Sequence, residues 1–353
     1  MKKFVIFLML LLFSALAATI TNPAMGAPKK NLRIFIWAEY IDLEVVKEFE
    51  KETGIKVRFD YYESNEEMIA KLQSGGVRQY DIIFPSTYFL PSLKHQKLIQ
   101  PLDHKLLPGL KNLDPEFSRK LDDDPSHEFS VPYQWGTSGL VVRGMDDVEA
   151  SWAILFEPRE NPVGFILFNT ARDTLGSALK YLGYSLNSTN KQEIEEAVNL
   201  LKAAKSRPEF LGFDNGVGGL NKVMGGLAAV AQVYNGDTLQ AQEEDETIQF
   251  LMPKEGFEVW ADVMALPAQA PNPEGAHAFI DYLLRPEVGA RVATYNRYAT
   301  PNAAARDFIP QEDLDNPAIY PPLDKDPFKK AEFMKDLGPN NRLYDEIWTT
   351  LKN

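Results

Sequence analysis

Trp37, Glu39 and Tyr40 stand together in IWAEY, at the end of a strand-like run and just where a helix is due to begin. An indole, a carboxylate and a phenol at a strand mouth are the side chains that hold an organic cation, through ring faces and a counter-charge. Ligands of α/β sheets sit at the carboxyl ends of strands. The pairing of ring and acid recurs. Ser86 and Tyr88 follow DIIFP, and Tyr234 and Asp237 flank Asn235-Gly236. Trp260 and Asp262 lie two apart on one strand and so point the same way. Taken singly, each ring more often fills a core. Aromatics near acids at separate strand ends carry the argument together.

Other chemistries lack their residues. The four histidines, His95, His104, His127 and His277, form no HExxH and no close pair, so a histidine metal site or triad is not expected. The glycine-rich DNGVGGLNKVMGG does not fit GxGxxG after a strand, and no GxxxxGK[ST] occurs, so no nucleotide cofactor is expected. Ser138 in WGTSGL lacks the GxSxG spacing of a nucleophile elbow. With no cysteine, disulfides, thiolate metal sites and a cysteine nucleophile are excluded. Carboxylates are plentiful enough that counts alone leave a glycosidase pair open.

The elements that must position these residues follow from periodicity. Leu32, Ile34 and Ile36 alternate on one face. Asp42 can cap a helix with Leu43, Val45, Val46 and Phe49 as its apolar positions, ended by Gly54. Ile55, Val57, Phe59 and Tyr61 alternate as a half-buried strand. Ser64-Asn65-Glu66-Glu67 reads as a capping box for a helix through Leu72, and YDIIFPS as a short buried strand. This βαβαβ order implies a parallel sheet with covering helices. A second α/β unit follows VPYQWGTSGLVV. Its strands are GFILFN, LAAVAQVY with a turn at Asn235-Gly236, and FEVWADVMALP. Its helices carry Leu175, Ala178, Leu179 and Leu182, then Ile194, Val198 and Leu201. Pro273 and Pro286 start two further helices. From Pro301 the chain is proline-rich and reads as a surface-wrapping tail closed by a helix near Leu343 to Leu351.

The chain has 353 residues, 44% of them hydrophobic and 25% charged, enough for two cores. Lys2 and Lys3, the apolar run Phe4 to Ala18 and small residues to Ala27 read as a signal peptide, residues 1–27, cleaved near Ala27. The apolar run is short for a membrane span. Without Lys2 and Lys3 the formal charge moves from −13 to −15. Such an acidic chain is a poor partner for nucleic acid and is compatible with a cationic ligand. The absence of cysteine also leaves no residue for a lipid anchor, so a free periplasmic monomer is the simplest expectation.

IWAEYI, KETGIKV, YYESNEEMIAKL, YDIIFPSTYF, VPYQWGTSGL, LGYSLNS, MPKEGFEVWADVMALP, LLRPEV and YATPNAAAR together resemble the spermidine/putrescine-binding periplasmic proteins of ABC importers, from Leu32 to the C-terminus. The resemblance implies an α/β, two-lobed periplasmic-binding-protein fold, each lobe a mainly parallel sheet flanked by helices, joined by hinge crossovers. It implies lobes of residues 32–134 plus 264–302 and 135–263 plus 303–353, with crossings near Gln134–Ser138, Asp262–Ala265 and Asn302–Ala305. It implies that Trp37, Tyr40, Ser86, Tyr88, Tyr234, Trp260 and Tyr298 line a slot in which Glu39, Asp173 and Asp262 meet ammonium groups. An inner-membrane ABC permease would be the partner. Asp237, in YNGD, matches putrescine-type members, where spermidine-type members carry a serine. Thr170, Met334, Tyr234 and Ala38 depart from the spermidine-type pattern, which has aspartate, glutamine, tryptophan and a small hydroxyl residue there. The alternatives are a receptor of the same fold for another amine, an opine, an amino acid or ferric ion, a secreted hydrolase, and a ligand-free scaffold.

Overall fold

The computed structural model describes residues 30–353 apart from positions 122, 146, 159 and 161. The expected signal segment lies outside the described residues. The strands are β1 (Asn31–Trp37), β2 (Lys56–Tyr62), β3 (Ile82–Ile83), β4 (Ser130–Arg143), β5 (Phe165–Phe168), β6 (Phe210–Asp214), β7 (Val230–Tyr234), β8 (Ile248–Leu251), β9 (Glu258–Ala265) and β10 (Glu332–Phe333).

The first α/β unit forms as its periodicity predicts except at the end of β2, where Tyr61, expected on the inner face, is exposed and Tyr62 is buried instead. Leu32, Ile34 and Ile36 are fully buried on β1, which pairs in parallel with β2 and β3. Asp42 accepts a hydrogen bond from Glu44 N at 2.8 Å, starting the helix Leu43–Thr53, and Gly54 ends it at φ 73°, a left-handed turn that glycine adopts at no steric cost. Val45, Val46 and Phe49 face the core, but Leu43 is 52% exposed. Next to the cap it falls outside the stripe set by the other three. Ser64 caps the helix Asn65–Gln73 by accepting from Glu67 N at 3.1 Å. The Glu67 carboxylate reaches back to Glu63 N at 3.0 Å, one residue earlier than a capping box requires.

The long strand β4 joins the halves. Its residues 130–137 pair antiparallel with β9, with a register shift between Pro132 and Gln134. Its residues 138–143 pair antiparallel with β7 and β8. β5 lies parallel to β6 and β7, and β10 lies parallel to β9. β4 thus runs antiparallel to all its neighbours and β9 antiparallel to β3 and β4, while the pairings among β1, β2 and β3 and among β5, β6 and β7 are parallel. One large apolar core gathers residues between Leu32 and Tyr133 and between Trp260 and Tyr298. The other gathers residues between Leu140 and Phe257 and between Leu337 and Leu351. Two cores on one continuous sheet give the two-lobed α/β architecture.

The expected turn at Asn235-Gly236 is instead the start of the helix Asn235–Glu244. Tertiary contacts decide this. The Asn235 side chain accepts from Thr137 N at 2.9 Å and donates to the Ala318 carbonyl at 2.8 Å. Gly236 lies so close to Tyr298 that a Cβ there would stand 2.5 Å from its ring. Pro273–Leu283, Pro286–Asn296 and Asn341–Lys352 form the expected later helices, and the proline-rich segment between the last two folds into short helical turns.

Candidate ligand-binding cleft

All eleven residues singled out by sequence line one cavity of ≈ 430 Å³: Trp37, Glu39, Tyr40, Ser86, Tyr88, Asp173, Tyr234, Asp237, Trp260, Asp262 and Tyr298. They arrive from the ends of β1, β3 and β7, from β9, from the helices that follow β5 and β7, and, for Tyr298, from the segment after the helix Pro286–Asn296. That is the placement an α/β sheet gives its ligand site.

The centre of the cavity is Asp262, which is buried. Its carboxylate accepts from the Ser86 hydroxyl at 2.7 Å, and Ser86 is fixed in turn by Asn65, whose side chain accepts from Ser86 N at 3.0 Å. Burial pushes the Asp262 carboxyl up to about 7, while the hydroxyls of Ser86 and Tyr40 pull it back. Trp260, two residues earlier on β9, meets Tyr298 edge-on at 4.8 Å, Tyr234 at 6.0 Å and Tyr40 at 6.4 Å between ring centroids. On the opposite side Trp37 packs on Tyr62 at 4.5 Å. Both donate to the Phe84 carbonyl, at 2.9 Å and 2.5 Å.

One end of the cleft carries Asp237 and Glu39. Tyr298 donates to Asp237 Oδ1 at 3.0 Å. Burial lifts the Asp237 carboxyl to about 6, Tyr298 opposes this and the Glu39 charge adds to it. Glu39 holds φ at 54°, a left-handed conformation seldom adopted by a residue with a side chain. The loop is clamped around it. Tyr133 Oη and Asn296 Nδ2 both donate to the Tyr40 carbonyl, at 2.8 Å and 2.9 Å. Tyr298 follows Arg297, itself at φ 56° and ion-paired to Asp313 at 2.6 Å and to Glu243.

The other end carries Asp173. Tyr234 donates to its Oδ1 at 2.9 Å and Thr170 to its Oδ2 at 2.7 Å. Thr170 and Ala38, two of the residues that depart from the spermidine-type pattern, thus line the cavity, as Tyr234 does, whereas Met334 is buried away from its walls. Tyr234 stacks on Phe168 at 4.7 Å. Sequence reasoning missed Tyr62, Phe168, Arg172 and Glu258 on these walls. Glu258 was findable, because it alternates with Trp260 and Asp262 on β9 and so shares their face. Among the described residues no cluster of histidine and acidic side chains could hold a metal ion. Most of the charged groups converging on the cavity are carboxyls surrounded by rings. Carboxylates and ring faces are the groups that replace the hydration of an amine cation.

Residues 44–321 match the bacterial extracellular solute-binding protein family. The chain is 37% identical over 346 residues to the spermidine/putrescine-binding periplasmic protein of Escherichia coli (strain K12), covering 97% of each. It is 32% identical to the putrescine-binding periplasmic protein SpuD of Pseudomonas aeruginosa, again covering 97% of each. The solved spermidine/putrescine ABC transporter substrate-binding protein PotD of Streptococcus pneumoniae superposes with a TM-score of 0.76 at 32% identity, covering 92% of this chain and 99% of that one. These relatives are solute-binding transport proteins with the two-lobed fold.

Proposed function

The chain belongs to the bacterial extracellular solute-binding protein family, and within it we propose a receptor that captures a polyamine, putrescine or spermidine, between two closing lobes and delivers it to an inner-membrane ABC permease. The observation that carries this reading is Asp262. It is a buried carboxylate with a hydroxyl donor on one side and the rings of Trp260 and Tyr40 close by, and among the described residues no cation is paired with it. A protonated amine supplies that cation. Charge-assisted hydrogen bonds to Glu39, Asp173, Asp237 and Asp262 contribute ~1.5–3 kcal/mol net each. Ring faces over the methylenes add ~0.5–2 kcal/mol per contact. After the cost of association, roughly −8 kcal/mol, or micromolar affinity, is within reach.

Trp37, Glu39, Tyr40, Ser86 and Tyr88 would belong to a first lobe, residues 32–134 plus 264–302. Asp173, Tyr234 and Asp237 would belong to a second, residues 135–263 plus 303–353. A ligand touching both favours the closed state by its extra affinity for that state, and the permease reads the closed shape. The receptor works as a periplasmic monomer released by cleavage near Ala27, and it catalyses no reaction.

A thermal-shift screen of putrescine, spermidine, cadaverine, opines and amino acids tests the reading. Linear amines should raise the melting temperature and carboxylate-bearing ligands should not. Stabilisation by opines or amino acids alone would replace the amine reading with a same-fold receptor for those solutes. Small-angle scattering should show a smaller radius at saturation, and an unchanged radius argues against closure.

A further inference from the structure

Glu258 is buried on the wall of the cavity, yet no hydrogen-bond donor is directed at its Oε2. A buried carboxyl oxygen without a donor is costly unless something fills that role. Asp173 is the acidic neighbour that acts on it most strongly, and both line the cavity. The hydroxyls of Tyr234 and Thr170 donate to Asp173, so neither is directed at Glu258.

We propose that Glu258 is a ligand-contacting residue: with Asp173 it forms a two-carboxyl station at this end of the cleft that receives a protonated amine of the ligand. The inference rests on the amine reading above and adds to it a residue and a proton.

The local charges show why a cation is needed. Among the described residues, Arg172, on the helix Ala171–Tyr181, is the cation whose charge acts on Glu258. It donates to the Lys335 carbonyl and the Asn187 side chain, both at 2.9 Å, and lies between the rings of Tyr88 and Tyr344. Two carboxylates and one guanidinium leave a single negative charge. Burial and the Asp173 charge push the Glu258 carboxyl well up, with Arg172 and the Ser138 hydroxyl opposing. The empty station is therefore relieved of charge by a proton on Glu258. An ammonium entering the station takes the proton's place, and the proton passes to the buffer. The other groups facing the pair add no compensating positive charge. Tyr88 and Tyr234 stay neutral because burial raises them. Glu66, from the helix Asn65–Gln73, adds further negative charge at the rim. Glu332, beside Glu258 on β10, is held by Lys180 at 2.5 Å and by Ser185. Asp262, further along β9, faces its own partners.

Titration calorimetry at pH 8 in phosphate and in Tris tests this, because the two buffers differ in protonation enthalpy and their comparison counts the protons released. Asp262, at about 7, is then largely ionised already and contributes little. The wild type should bind spermidine or putrescine with net proton release. Glu258→Gln should bind the same amine at least about tenfold more weakly and release fewer protons, while the ligand-free variant melts no lower than the wild type. Glu258→Asp, which keeps the carboxyl, should recover most of the release. Amine binding by Glu258→Gln within threefold of wild type, with unchanged proton release, overturns the role of Glu258 and leaves the amine receptor standing. A wild type that binds no amine overturns both.

Discussion

Ser86 and Asp262 are 176 residues apart in sequence and form an isolated antiparallel bridge, with the serine hydroxyl donating to the carboxylate at 2.7 Å. The loop after β3 is thereby tied to β9 at the centre of the cavity. The bond fixes the carboxylate before any ligand arrives, so no rotamer has to be sought on binding.

Asp262→Ala should weaken amine binding by about 3–5 kcal/mol, because an ammonium would be left buried without its counter-charge. Calorimetry of the variant checks this. A change smaller than threefold would remove Asp262 from the site.

The raised carboxyl of Asp262 makes the empty protein sensitive to pH. A carboxyl at about 7 in the folded chain, against 3.8 for the ordinary group, binds its proton more tightly when folded. Its contribution is therefore present at low pH and is lost as pH rises from about 4 to beyond 7, a cost on the order of 4 kcal/mol by pH 8. The ligand-free protein should melt at lower temperature at pH 8 than at pH 5.5, and Asp262→Asn should flatten the slope. Amine affinity should move the other way, rising between pH 6 and 8 as the carboxyl ionises while the amine keeps its charge.

Glu39 separates stability from binding. Its φ of 54° costs a residue with a side chain ~1–2 kcal/mol, and glycine avoids that strain. Part of the gain is offset by the greater freedom of glycine in the unfolded chain. Glu39→Gly should leave the ligand-free melting temperature unchanged or higher while affinity falls at least about tenfold. A clear loss of stability in differential scanning fluorimetry would mean that the conformation is not strained.

Asp237 should set a preference for ligand length. Asp237→Ser, the residue spermidine-type relatives are expected to carry there, should weaken putrescine more than spermidine. Competition binding with both amines decides the matter, and equal losses would leave Asp237 without a part in choosing between them.

What was legible in the sequence follows the range of the interaction responsible. Asp42 and Gly54 bound their helix through contacts within a few residues, so cap chemistry alone located both ends. Nine of the eleven cleft residues were legible because rings and acids at strand ends are unusual in type as well as in place, whereas Asp173 and Tyr298 came only from the family resemblance. Asn235-Gly236 was misread because its local turn preference loses to Thr137, Ala318 and Tyr298, which are distant in sequence. Tyr62 looked like one more strand residue until Trp37 and the Phe84 carbonyl came to it in space. Glu258 was overlooked because a lone glutamate is usually solvated, although its alternation with Trp260 and Asp262 puts it on their face, and its burial on the cavity wall sets it apart.

β4 gives its first half to the sheet with β9 and its second half to the sheet with β7 and β8. Neither half of the molecule can therefore melt without tearing a ladder that the other half needs. Heating should yield one calorimetric endotherm whose van't Hoff and measured enthalpies agree. Fragments cut between Pro132 and Ser138 should fail to fold separately and regain structure only when mixed.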